Sequence, residues 1–203
     1  DKGFKQIRRD NVVDQIQNLG KTRGFTAAPL YGVEQTTQRD HKKRNHIAKF
    51  NKTYSNVKFE ELSENNKQYF LEIADNWFLE NDGPNDNGKI YENKIIHQVL
   101  DSSSLFNLRG GILFIENVPI AMTLASAINN TTVDIHFEKA ISEYAKHGAY
   151  AVINQEFAKT LAKDFKYINR EEDLGIEGLR KAKLSYYPAK ILEKWTAIKS
   201  HKN

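Results

Sequence analysis

The residues able to do chemistry in this chain gather in two places. The first is Tyr167 to Pro188, YINREEDLGIEGLRKAKLSYYP. There Asn169 and Arg170 precede three consecutive carboxylates, Glu171, Glu172 and Asp173, and Arg180, Lys181 and Lys183 follow them. Guanidinium and ammonium groups at that density suit contact with phosphate or carboxylate, Arg through a bidentate fork and Lys as a point charge. Arg170, Arg180 and Lys183 are the candidates, and the Tyr187 phenol could protonate a leaving group. The second place is His136 to Lys139, HFEK. Glu138 is the candidate general base, provided a closed pocket raises its pKa. Lys139 is a further phosphate contact and His136 a catalytic candidate. Strand periodicity puts His136 and Glu138 on one face, and Val133, Ile135 and Phe137 on the other. Both groups have a plainer reading. Glu138–Lys139 is then a surface ion pair, and Arg170 with Glu171 to Asp173 a salt-bridge cluster tying a turn to the last helix.

Several chemistries are excluded. The chain has no cysteine, hence no disulfide frame, thiol nucleophile or thiolate metal site, which fits a reducing cytoplasm. Its six histidines are scattered. His136 and Glu138 lack a third ligand in the pattern, so no metal is expected. No Gly-x-Ser-x-Gly elbow supports a serine hydrolase.

The positioning elements follow from periodicity. Residues 40 to 54 read as a basic helix with Ile47, Phe50 and Tyr54 as its apolar stripe. Lys42, Lys43, Arg44, Lys49 and Lys52 cover the rest, either as a solvated face or as a landing strip for RNA in which Arg44 meets phosphate. Val57 to Phe59 is a short strand. Helices follow over 64–79, with Tyr69, Phe70, Ile73, Trp77 and Phe78 as a core face, and over 90–101, with Ile95, Ile96, Val99 and Leu100 inward. NDGPNDNG between them is a loop. Residues 108 to 137 predict an antiparallel meander with one face packed by helices. Gly148 then opens a helix with Tyr150, Ile153, Phe157 and Leu161 at three- and four-residue spacing, which carries Asn154 and Glu156. Tyr167–Ile168 ends a strand, Asp173 is placed as an N-cap, and Gly175 and Gly178 open a helix that Pro188 stops. Two glycines so near a helix start are costly and hint at close backbone approach. Residues 189–198 read as a last strand. Before residue 40 the chain predicts a helix over 12–19 and a loop-like 21–38.

Four segments, NREEDLGIEGLRKAKLSYYP, HKKRNHIAKF, HFEKA and GAYAVINQEFA, occur in order over residues 40 to 198. Together they resemble a bacterial family related to the C-terminal domain of lysylphosphatidylglycerol synthases (phosphatidylglycerol lysyltransferases). The resemblance implies an α/β, GNAT-like acyltransferase fold: a mixed, mostly antiparallel sheet flanked by helices, commonly one half of a tandem pair. Residues 41–199 would be that domain and 1–40 a remnant of a preceding domain or linker, consistent with the absence of an initiator Met. In such folds a donor's phosphates sit at the N-terminus of the helix after the central strand, here at Gly148. The Gln/Arg-x-x-Gly-x-Gly/Ala loop of acetyl-CoA enzymes is absent, since KHGAYA has one glycine. Aminoacyl-tRNA or an acyl-CoA are the possible donors, and tRNA and a tandem domain the possible partners. The implied site surrounds a splayed strand: Glu138, Tyr187 and His136 catalytic; Lys139, Gly148, Asn154, Asn169, Arg170, Arg180, Lys183 and Arg44 binding. The implied function is acyl or aminoacyl transfer to an amine or hydroxyl. The rival is a non-catalytic module that binds RNA or a nucleotide-bearing ligand.

Composition agrees with one domain. The chain has 203 residues, a net charge of +4 and 28% charged residues, a mildly basic balance that permits a phosphate-bearing ligand. Its longest apolar stretch, 111–128, is broken by Glu116, Asn117 and Pro119, so no membrane span is predicted.

Overall fold

The computed structural model describes residues 22–26 and 41–194. The helix expected over 12–19 and the tail after 194 lie outside them. The elements run β1 (Thr22–Thr26), α1 (His41–Thr53), β2 (Val57–Glu61), α2 (Lys67–Glu80), a 3₁₀ turn (Gly83–Asn85) and α3 (Asn87–Asp101). They continue with β3 (Arg109–Ile115), β4 (Val118–Asn129), β5 (Thr132–Ala140), the one-turn α4 (Ser142–Ala145), α5 (Ala149–Leu161), β6 (Tyr167–Glu172), α6 (Glu177–Leu184) and β7 (Lys190–Lys194). All seven strands form one sheet in the order β2-β3-β4-β5-β6-β1-β7. Every pairing is antiparallel except β5 with β6. The mixed, mostly antiparallel sheet is the one expected, with one addition. Thr22–Thr26, read as loop, is a strand between β6 and β7.

Helices cover both faces of the sheet, not one. Alternation along β3 sends Leu113 and Ile115 to one side, where Phe50 of α1 and Ala149, Val152 and Ile153 of α5 bury them. Ile112 and Phe114 go to the other, against Phe70 and Ile73 of α2 and Ile96 and Leu100 of α3. Central strands apolar on both sides follow from that sandwiching. Ile95, expected inward on α3, is exposed. The tight turn between β3 and β4 is Glu116–Asn117, both at positive φ.

A β-bulge changes the reading of β5. Ala125 pairs with Ile135 but Leu124 pairs with Phe137, so His136 is an extra residue and inverts the side-chain parity beyond it. Phe137 therefore joins the α2–α3 core, while Val133 and Ile135 pack on the α5 side with Phe157 and Leu161. The simple two-residue period, with Phe137 beside Val133 and Ile135 and His136 beside Glu138, fails at this residue.

Gly148 is required by geometry. Its φ is +111°, and an added Cβ would lie 2.9 Å from the His46 carbonyl oxygen. This close approach lets α1 pack across the start of α5. Gly148→Ala should lower stability by about 2 kcal/mol, from left-handed strain plus the clash. A urea denaturation midpoint equal to wild type would refute that role.

Candidate functional site

The site forms where β5 and β6 part. They pair in parallel only at Thr132–Tyr167, Val133–Ile168 and Asp134–Asn169. Beyond that, side chains bridge the gap. On the α5 side Glu138 pairs with Arg170, Oε1 to Nη2 at 3.1 Å. Asn154, from α5, locks the pair by donating to Glu138 and accepting from Arg170 Nη1. The two charged side chains keep only 13% and 15% of their exposure. The Tyr186 ring lies under the Arg170 guanidinium at 4.7 Å. Lys43, from α1, sits over the same ring at 4.0 Å. Lys183 of α6 donates to the main-chain carbonyls of Arg170 and Glu172, the latter at 2.6 Å.

Charges of both signs meet here. Lys43 and Arg170 face Glu138, and Lys183 lies among Glu171, Asp173 and Glu138. Burial, and then the Arg170 charge, hold the Lys43 and Lys183 ammonium groups below their ordinary pKa. Burial pushes the Tyr186 phenol up to about 12. Arg170 Nε is buried without a hydrogen-bond partner, an exception to the rule that buried donors are matched.

A second group lies on the opposite side of the strands. His136 Nε2 meets Ser126 Oγ at 2.7 Å. His136 Nδ1 faces Glu171 at 3.6 Å and Asp134 at 3.9 Å. Burial and the adjoining Glu171 carboxylate push the Asp134 carboxyl up to about 6.

The structure thus unites Glu138, Asn154, Arg170 and Lys183 and disperses the other expected residues. His136 is separated from Glu138 by the bulge. Lys139 also faces away from Glu138. It is buried against α2 and α3, paired to Glu92 at 2.7 Å and 3.5 Å over the Trp77 ring. Asn169 closes a local turn onto the Glu171 N–H at 3.2 Å. Arg180 holds the buried Asp173 at 2.5 Å. Asp173 takes the Gly175 N–H at 2.9 Å and is not the helix cap; Ile176 is, with no side-chain cap. Around Gly175 and Gly178 the space where a Cβ would go is open, so these glycines mark no close approach to protein, and only Gly175, at φ +74°, needs to be glycine. Gly148 and Ala149 are buried under α1, which leaves no open N-terminal turn on α5 for a phosphate. Arg44 is half-buried on α1. Glu156 pairs with Lys159 at 2.6 Å on the surface. Tyr187 is exposed at positive φ; its neighbour Tyr186 is the tyrosine of the site. Sequence reasoning missed Tyr186 and Lys43. Adjacent tyrosines before Pro188 gave no means of choosing between them.

Residues 34–198 match the family described as phosphatidylglycerol lysyltransferase, C-terminal. The chain belongs to that family. It is 33% identical to a conserved protein of unknown function from Bacteroides thetaiotaomicron VPI-5482, with a TM-score of 0.80 over 92% of this chain and 64% of that one. A C-terminal domain of a putative lysylphosphatidylglycerol synthetase from Agrobacterium fabrum is 10% identical, with a TM-score of 0.59 over 91% of this chain and 63% of that one. L-PGS from Bacillus licheniformis is 13% identical, with a TM-score of 0.58 over 95% and 65%. The chain therefore spans slightly less than two thirds of the length of these relatives and shares their fold. No curated protein matches it. Among the described residues no helix is long and apolar enough to cross a membrane.

Two outcomes test the site. Arg170→Met leaves Glu138 without its counter-charge and should cost about 3 kcal/mol; Arg170→Met with Glu138→Leu should recover part of it. Additive losses in that double-mutant cycle would mean the pair is incidental. The Tyr186 pKa lies above its unfolded value near 10, so its contribution is complete below pH 10 and is lost as pH rises through 12. Wild type should lose about 2 kcal/mol more than Tyr186→Phe across that range. Identical alkaline denaturation curves would contradict a buried phenol.

Proposed function

We propose that this lysyltransferase-family domain transfers an acyl group, most simply an amino acid from aminoacyl-tRNA, to an amine or hydroxyl acceptor. The observation that carries the reading is the parting of β5 and β6, with Arg170 held at its mouth and Lys43 and Lys183 beside it. A donor ester ends in a phosphate-rich acceptor strand, and surplus positive charge suits it. The acceptor attacks the ester carbonyl, a tetrahedral oxyanion forms, the C–O bond to the donor's ribose breaks, and that oxygen takes the proton the acceptor loses. Arg170, fixed by Glu138, Asn154 and Tyr186, is the charge offered to the oxyanion. Glu138 holds Arg170 and is the carboxylate nearest to serve as base. The reaction is mainly positioning and needs few groups.

A second reading rests on one observation. Both Glu138 oxygens are already engaged, by Arg170 and Asn154. A carboxylate so occupied suits a structural clamp in a non-catalytic module that binds RNA or a nucleotide-bearing ligand.

The test is transfer of radiolabelled amino acid from charged tRNA to amine and hydroxyl acceptors, with tRNA binding measured alongside. Activity lost in Arg170→Lys by more than tenfold, with tRNA binding kept, supports transfer. Binding without transfer in wild type supports the module. Stabilisation by an acyl-CoA and not by a charged-tRNA mimic would redirect the proposal to acyl-CoA.

A further inference from the structure

The group on the other side of the strands is not absorbed by that reading. Asp134, His136 and Glu171 each offer one donor atom, and these atoms lie within 4.8 Å of one another. Asp134 and His136 come from β5, and Glu171 from β6, one position past Arg170. We propose that these three side chains form a divalent-cation site, for an ion of the Zn²⁺ or Mn²⁺ kind, which fastens β5 to β6 on the face opposite the Glu138–Arg170 pair.

Three observations lead there. First, the ligand type is right. One imidazole nitrogen and two carboxylates without thiolate match borderline first-row ions. Metal–ligand bonds of about 2.0 to 2.2 Å put neighbouring donor atoms about 3 to 3.5 Å apart. His136 Nδ1 stands 3.6 Å from Glu171 Oε1 and 3.9 Å from Asp134 Oδ2, a contraction of a few tenths of an ångström at each from that spacing.

Second, the histidine is already oriented. Ser126 Oγ holds Nε2 at 2.7 Å, which turns Nδ1 toward both carboxylates. A hydrogen bond on the far nitrogen is how metal-binding histidines are fixed in tautomer and direction. Nδ1 then faces two carboxylates, an arrangement that calls for a positive charge between them, which a proton or a metal ion can supply.

Third, a ligand atom is left over. Asp134 Oδ1 is buried and has no hydrogen-bond partner, although its carboxyl keeps only 14% of its exposure. Lys183 lies near enough to act on Asp134, but its ammonium donates to the carbonyls of Arg170 and Glu172. A cation that takes both Asp134 oxygens would match the orphaned Oδ1 as well as Oδ2 and remove the contact between like charges.

The chain, stripped with chelator and dialysed, is titrated with Co²⁺ as a spectroscopic probe and then with Zn²⁺ in competition. Melting temperature is followed in parallel. The expected result is a visible absorption band that saturates at one equivalent, is displaced by Zn²⁺ and is matched by a rise in Tm. Asp134→Asn, which removes a like charge and should fold, is expected to lose the band and the rise; His136→Gln should do the same. Far-UV circular dichroism establishes that both variants are folded. A wild-type titration with no band and no Tm change overturns the proposal, because the three side chains then share only protons. A band and Tm rise of equal size in wild type and Asp134→Asn also overturn it, because the ion then sits elsewhere.

Discussion

The constraint from which the rest follows is that β5 and β6 run side by side for three residue pairs and then separate. Parallel strands that part expose main-chain groups that would otherwise have paired, and buried main-chain groups must find partners. Side chains supply them. Lys183 reaches up from α6 to the Arg170 and Glu172 carbonyls, which fixes where α6 lies. Arg170, Asn154 and Glu138 close the gap on the α5 side. Charged groups are buried here because none of the described strands fills the opening. The separation carries its cost as desolvated charge.

Two features decide how a ligand can approach. α1 lies across the start of α5, with Gly148 pressed to the His46 carbonyl, so the helix terminus that anchors phosphates in many α/β folds is covered. Positive charge is concentrated instead beside the parted strands, on side chains from α1, β6 and α6. Lys43, Arg170 and Lys183 supply that charge.

Much of this was legible from residue order. The helices announced themselves by apolar spacing, and the β3–β5 meander by alternation, because both follow from local periodicity. The family motifs drew attention to the place where β5 and β6 part, and Glu138, Asn154, Arg170 and Lys183 come together there. What could not be read has physical causes. Nothing local in IHFEK marks His136 as an extra residue, yet that one insertion sends Lys139 to the α2–α3 core and Glu138 to the other face. The β6 strand continues through Arg170, Glu171 and Glu172, with Arg170 paired to Glu138 and Glu171 facing His136, whereas polarity alone suggested a turn. β1 carries no strong strand pattern, and its place depends on β6 and β7.

That place of β1 bears on how the chain is made. β1 is synthesised before every other described strand, but both its neighbours in the sheet come from the far end of the sequence. The β2–β5 meander can condense as soon as it leaves the ribosome, since its pairings are between successive strands. β1 must wait, unpaired, until β6 and β7 have emerged. Contacts of such long sequence separation close late and slowly, and an unpaired strand in the interval is open to association with other chains. Closure of the sheet therefore waits for β6 and β7 to emerge. A nascent chain stalled before β6 would hold a formed core with no cleft, which separates the acquisition of stability from the acquisition of a site.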